Sequence, residues 1–152
     1  GNGWALLSEV AVLDELPQDH PDRSALLETL RRHVAGLIRH QAPSGMWRQV
    51  VDEPFLWEET SATGMFAYSI AHACAAGWVD KAHLAASERA VEALKTRVAW
   101  NGSVLDTCAG TGIGTTLQQY KDRPRPVDDG HGPGPVMLAI AEVLMAREGS
   151  GG

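Results

Sequence analysis

EETSATGMFAYSIAHACAAG, residues 58–77, is the stretch whose reading decides the fold. From about Ser61 to Ala76 it predicts a helix in which Met65, Phe66, Ala67, Ile70, Ala71, Ala73, Cys74 and Ala75 leave almost no charged face, with Gly77 as the stop. A helix without a charged face is buried all round, so other helices must surround it.

The segments on either side have the opposite character. About Asp22 to Gln41 carries one apolar stripe, Leu27, Leu30, Val34, Leu37 and Ile38, with Arg23, Glu28, Arg31, Arg32 and Arg39 on the other face. A helix capped by Asp80 and running to about Val98 repeats that pattern. Further out, about Trp4 to Leu16, stopped by Pro17, and about Pro135 to Ala146 read as apolar helices again. The order is buried, amphipathic, buried, amphipathic, an irregular interval, buried. An all-α two-layer α/α toroid satisfies that alternation, because inner helices touch protein on all sides and outer helices keep one wet face. Three inner and two outer helices make about half of a six-pair ring; a plain five-helix bundle is the simpler alternative.

Two segments interrupt the helices. Met46 to Asp52 alternates loosely, and Asn101-Gly102 followed by Ser103 to Thr107 reads as a turn entering a short extended run. From Tyr120 to Gly134 the chain is rich in Pro, Gly and Asp and reads as loop. Polar and glycine-rich strings precede or open the helices: GNGW from Gly1, WRQVVD from Trp47, EETSATGMF from Glu58, and CAGTGIG with DDGHGPGP from Cys108 onward. Inner helices of one ring run the same way, so these N-termini converge on one mouth. Their unpaired N–H groups and partial positive charge suit an oxygen-rich or anionic ligand.

Composition narrows the function classes. The 152 residues amount to one domain, and a net charge of -6 without a basic run argues against nucleic acid or an anionic membrane surface as partner. No apolar run approaches the roughly 20 residues that span a bilayer. Two cysteines, Cys74 and Cys108, fit a reducing, cytoplasmic compartment rather than a disulfide framework. The chain opens inside a motif without Met, which leads to the expectation of a larger parent.

The succession GNGWALLSEV, HPDRSALLETLRRHVAGLIRHQAPSGMWRQVVD, EETSATGMFAYSIAHACAAGWVD, CAGTGIGTT, YKDRP and DDGHGPGPVMLAIAEVL resembles the C-terminal half of the unsaturated glucuronyl and rhamnogalacturonyl hydrolases, glycoside hydrolase families 88 and 105. The resemblance covers residues 1–152 as the C-terminal part of one six-pair α/α-barrel domain. It implies removal of unsaturated uronic residues from lyase-generated oligosaccharides: one Asp protonates the C4=C5 enol ether, water adds at C5, and the hemiketal expels the neighbouring sugar. Such hydration does not use the carboxylate pair of ordinary glycosidases.

Carried over by position, the resemblance makes Trp4 a sugar-stacking wall and sets Thr111 and Gly112 against the uronic residue, with Thr60 among the binding groups. Asp129, His131 and Glu59 are supporting groups. The catalytic Asp, a substrate-binding His and the carboxylate-binding Arg lie upstream of Gly1, so no catalytic residue is expected within the chain. A half-site of this kind implies a missing N-terminal half or a homodimer partner, and no cofactor.

The residues also carry plainer readings. Trp47, Trp57, Trp78 and Trp100 read as packing or rim groups. GTGIG lacks the Lys-Ser/Thr of a phosphate cradle and reads as a tight turn. Asp128, Asp129 and His131, or Glu58 with Glu59, are candidate acid/base clusters, with Asp129 the local proton donor should activity reside here. Cys74, Cys108 and His131 lack the spacing of a zinc set. His20, His33, His40, His72 and His83 show no constellation. A non-catalytic helical sugar-binding or assembly module is the alternative function.

Overall fold

The computed structural model describes residues 1–110 and 112–149. Six α-helices follow in order: α1 (Asn2–Glu15), α2 (Arg23–Arg39), α3 (Thr60–Ala75), α4 (Leu84–Lys95), α5 (Leu117–Lys121) and α6 (Pro133–Gly149), with a 3-10 turn at Lys81–His83 leading into α4. Among the described residues there is no strand, only isolated antiparallel bridges between Arg48 and Glu58 and between Val98 and Val104. These bridges are the extended segments expected around Met46 and Ser103.

Helix α3 stands at the centre. It packs on α1 at one side, α6 at the other and α4 behind, and its buried residues include Thr63, Met65, Phe66, Ala67, Ile70 and Cys74. Helix α2 lies against α1, and α4 also touches α6, so α2 and α4 form an outer layer over the inner row α1, α3 and α6. The core joins all five long helices through Leu6, Leu30, Val34, Phe66, Ile70, Leu94 and Val143, with Trp47 set edge-on to Phe66 at 5.3 Å. The architecture is the partial α/α ring that the helix alternation predicts.

Two glycines allow the inner helices to approach closely at their N-terminal ends. A Cβ on Gly64 would lie 2.7 Å from the Pro135 carbonyl carbon and oxygen, and one on Gly3 would lie 2.8 Å from Met65 Sδ. Gly64 faces backbone and has no room for a side chain, whereas at Gly3 the Met65 side chain would have to move. At the other end, α3 stops where Gly77 takes φ +72, and the Gly77 and Trp78 amides bond back to the Cys74 and Ala73 carbonyls at 3.1 and 2.9 Å.

Several expectations change. Arg23 is buried rather than on a wet face: its Nη1 donates to the Leu13 and Leu16 carbonyls at 2.8 and 2.7 Å. It satisfies carbonyls left over where α1 ends before Pro17. Helix α4 ends at Lys95 instead of Val98, because Val98 turns away to bridge Val104. The Tyr120–Gly134 interval begins inside α5, whose start is a capping box of Thr116 and Gln119. Finally, α1 and α6 are not buried all round. Val12 on α1 and Met137, Leu138, Leu144 and Met145 on α6 are exposed, since each of these helices borders the row and has an inner neighbour on one flank only.

Candidate functional site

The inner helices begin at a common mouth. A cleft of about 720 Å³ is walled by Gly1 to Trp4 at the start of α1, Glu59, Ser61, Ala62 and Met65 at the start of α3, Arg48 to Asp52, Cys108 to Tyr120 in part, and His131 just before α6. Each polar string picked out of the sequence thus reaches the same cavity. The three converging N-termini direct partial positive charge toward it.

Glu59 builds the α3 end of the wall. Its backbone is extended, and its carboxylate accepts from the Ser61 amide at 3.2 Å, from the Ala62 amide, from Ser61 Oγ at 2.9 Å and from the Cys108 amide at 2.9 Å. A carboxylate with its lone pairs so occupied is a helix cap and a loop anchor, not a proton donor. Thr60 is fully buried and faces inward, its Oγ1 donating to the Leu105 carbonyl at 2.6 Å and its amide to Asp106 O at 3.0 Å. It is no part of the cleft wall.

The loops at the mouth are pinned from outside. Asp106, at φ +55, accepts from Arg97 at 2.9 Å and Arg125 at 3.1 Å, and Arg97 also reaches Glu58 at 2.8 Å. Arg125 lies 4.6 Å from the Trp57 ring centroid, while Trp57 Nε1 donates to Lys121 O at 3.0 Å. The left-handed backbone of a non-glycine residue persists where neighbours over-determine it, as the two guanidinium groups do here. Gly114 donates its amide to Tyr120 Oη at 3.0 Å and packs against that ring.

His131 is exposed in the cleft wall with Nδ1 2.6 Å from Asp129 Oδ1. With its Nδ1 proton toward the carboxylate, the ring presents Nε2 outward. Asp129 accepts both the His131 amide and the His131 ring, and these bonds, the amide first, hold its carboxyl below the ordinary range. Asp129 is therefore ionised at neutral pH and is paired with His131. Asp128 is engaged elsewhere, accepting from the Val104 amide at 2.7 Å.

Trp4 lines the cleft with about half its surface exposed, as a stacking wall requires, whereas Trp47 is wholly buried and donates to Leu37 O at 2.8 Å. Gly112 lies outside the cleft wall, its carbonyl taken by Arg123 Nη2 at 2.9 Å. Thr111 lies outside the described residues. Sequence reading assigned no role to Arg48, Gln49, Asp52 or Tyr120, although WRQVVD had been marked as a string; all four line the cleft. Cys74 does not join Cys108 and His131. It is buried, bonded to Asp80 O at 3.4 Å, and burial pushes its thiol up to about 11. Among the described residues no three of His, Cys, Asp and Glu are placed to share a metal ion.

A cluster that the sequence reading missed lies at the opposite end of the inner helices. His72 on α3 meets Asp14 of α1 at 3.0 Å through Nε2 and Glu142 of α6 at 2.9 Å through Nδ1, with Tyr68 and Trp78 rings 5.7 Å away on either side.

Comparison with known proteins agrees with this architecture. Residues 1–147 match the model of Glycosyl Hydrolase Family 88. The "24.9 kDa protein in picA locus" of Rhizobium radiobacter is 35% identical over 166 residues, 95% of this chain and 71% of that protein. The unsaturated rhamnogalacturonyl hydrolase YesR of Bacillus subtilis is 26% identical over 147 residues, 97% of this chain and 41% of that enzyme. A solved structure described as a possible member of the GH105 family, from Salmonella enterica, superposes with TM-score 0.83 at 28% identity and covers 96% of this chain. A family 105 glycoside hydrolase of C. acetobutylicum superposes with TM-score 0.87 at 23% identity, which bears on the fold alone. The chain spans 38% and 44% of the lengths of these two structures. No helix among the described residues is long and apolar enough to cross a membrane. The sequence match, the partial ring and the shared mouth together place this chain in Glycosyl Hydrolase Family 88.

Proposed function

We propose that this chain forms the substrate-holding part of a hydrolase that removes unsaturated uronic residues from lyase-generated oligosaccharides. The observation that carries the reading is the convergence of three inner helix N-termini, with the half-exposed Trp4 indole, on one cleft of about 720 Å³. A pyranose ring stacks on the indole face, and the N–H-rich mouth receives its oxygens.

The proton for the C4=C5 enol ether comes from an Asp outside these residues, and the chain alone is inactive. Glu59 supports this by being fully engaged as a cap, and Asp129 by being held ionised against His131. The partner is the rest of the barrel, or failing that a second copy, seated on the exposed apolar flanks of α1 and α6. Residues 1–152 are then the C-terminal part of one domain. The absence of a disulfide between Cys74 and Cys108 suits a cytoplasmic setting, and the reaction asks for no cofactor.

The test is the loss of ultraviolet absorbance from an unsaturated uronyl disaccharide. We expect no rate from the chain alone and a clear rate once the upstream half is supplied. A rate from the chain alone overturns the division of the site. No rate in either case, with saccharide still bound, leaves a non-catalytic sugar-binding module.

A further inference from the structure

Four arginines of this chain are at least partly withdrawn from water: Arg23, Arg48, Arg97 and Arg123. Three have acceptors. Arg23 donates to the Leu13 and Leu16 carbonyls, Arg97 to Asp106 and Glu58, and Arg123 to Gly112 O. Arg48 alone makes no hydrogen bond or ion pair among the described residues, and it lines the cleft. A half-buried guanidinium that lines a cleft without a protein acceptor keeps its donors available to a ligand. An oxyanion that enters the cleft restores what the fold leaves open.

The backbone at this position is held firmly. Trp47, immediately before, is fully buried, with its amide on Thr63 Oγ1 at 3.0 Å and its carbonyl accepting the Glu59 amide at 2.9 Å. Gln49, immediately after, donates its amide to Trp57 O at 3.0 Å, and Arg48 itself bridges Glu58. Arg48 is thus carried on a rigid backbone edge, so that a bidentate contact has only its side chain to order. Among the described residues neither acidic member of the wall pairs with it: Glu59 is closed by its four donors, and Asp52 forms no ion pair.

We propose that Arg48 is a specificity-determining residue that selects saccharides carrying an oxyanion, either the carboxylate of the uronic residue or a sulfate on the neighbouring sugar. The proposal rests on the saccharide reading above and adds to it the residue that reads charge. Arg48 holds the ligand and takes no part in proton transfer.

The experiment is a titration of the chain, followed by amide NMR, with three probes: an unsaturated uronyl disaccharide with a neutral neighbour, the same with a sulfated neighbour, and the methyl ester of the first. Wild type, Arg48→Gln and Arg48→Lys are compared, with thermal unfolding as the check on folding. Arg48→Gln is expected to weaken the charged probes about ten- to a hundredfold, leave the ester unchanged, and keep the wild-type midpoint; Arg48→Lys regains part of the loss. A loss for both charged probes assigns the uronate carboxylate, and a loss confined to the sulfated probe assigns the neighbour. Equal affinities of wild type and Arg48→Gln, with binding intact, overturn the role of Arg48 alone. Absence of saccharide binding by the wild type overturns this proposal together with the sugar-site reading.

Discussion

The two ends of the inner helices use polar groups in opposite ways. At the C-terminal end His72 sits between Asp14 and Glu142, so three helices satisfy one another and little is left over for a ligand. At the N-terminal end Arg48, His131 and Trp4 line a cavity. Around His72 the polar groups are paired with one another, whereas Arg48 at the cleft has no partner among the described residues. The same inner row serves both because its helices run parallel, gathering donors at one end and carbonyl-rich termini at the other.

The sharpest way to break this contrast is to separate the helices that carry it. Gly64→Val must push α3 away from the Pro135 backbone and is expected to cost about 3 kcal/mol or more, read as a lower urea midpoint, with the cleft and the clasp lost together. Next in size, His72→Ala removes both clasp contacts and leaves the mostly buried Glu142 carboxylate without its His72 partner. The expected loss is about 1–2 kcal/mol of stability, with saccharide affinity at the mouth retained. An unchanged urea midpoint would show that the clasp contributes nothing.

Trp4→Ala should do the reverse. With the indole half exposed, stability moves by about 0.5 kcal/mol or less, while affinity for an unsaturated uronyl disaccharide falls roughly tenfold. Equal affinity in a calorimetric titration would remove the stacking wall. The smallest effect is chemical. Burial first, and Asp80 second, raise the Cys74 thiol to about 11. Iodoacetamide at pH 8 should therefore leave Cys74 unmodified in the native protein, by mass spectrometry, whatever happens at Cys108 in the cleft wall. The sign for stability follows: the native state keeps the proton that the unfolded thiol gives up. Stability from this group is intact below pH 9 and falls as pH rises from 9 toward 11.

Much of the fold was legible because its signals are local. The uncharged run of α3, the stripe of α2, Asp80 before α4 and Gly77 after α3 each act within a few residues, and each has its expected effect in the structure. The capping box of Thr116 and Gln119 was equally local and went unread because the interval around it is rich in breakers. What could not be read depends on tertiary contact. Arg23 on an amphipathic helix looks solvated until the end of α1 is brought to it, and the partners of His72 come from helices distant in sequence. In the site, Trp4, Glu59 and His131 line one cleft, and Thr60 and Glu59 show how a helix start divides neighbouring residues between fold and cavity. Arg48 could not be picked out by type, because its distinction is the absence of a described partner while the other buried or partly buried arginines, Arg23, Arg97 and Arg123, have one.

The Glu59 cap ties together two segments distant in sequence. Because its carboxylate holds both the first amides of α3 and the amide of Cys108, a segment far along the chain, the loop bearing the cavity wall cannot shift without undoing the helix start. A ligand therefore meets a surface whose backbone entropy was surrendered during folding, and its association draws little on further ordering of the protein.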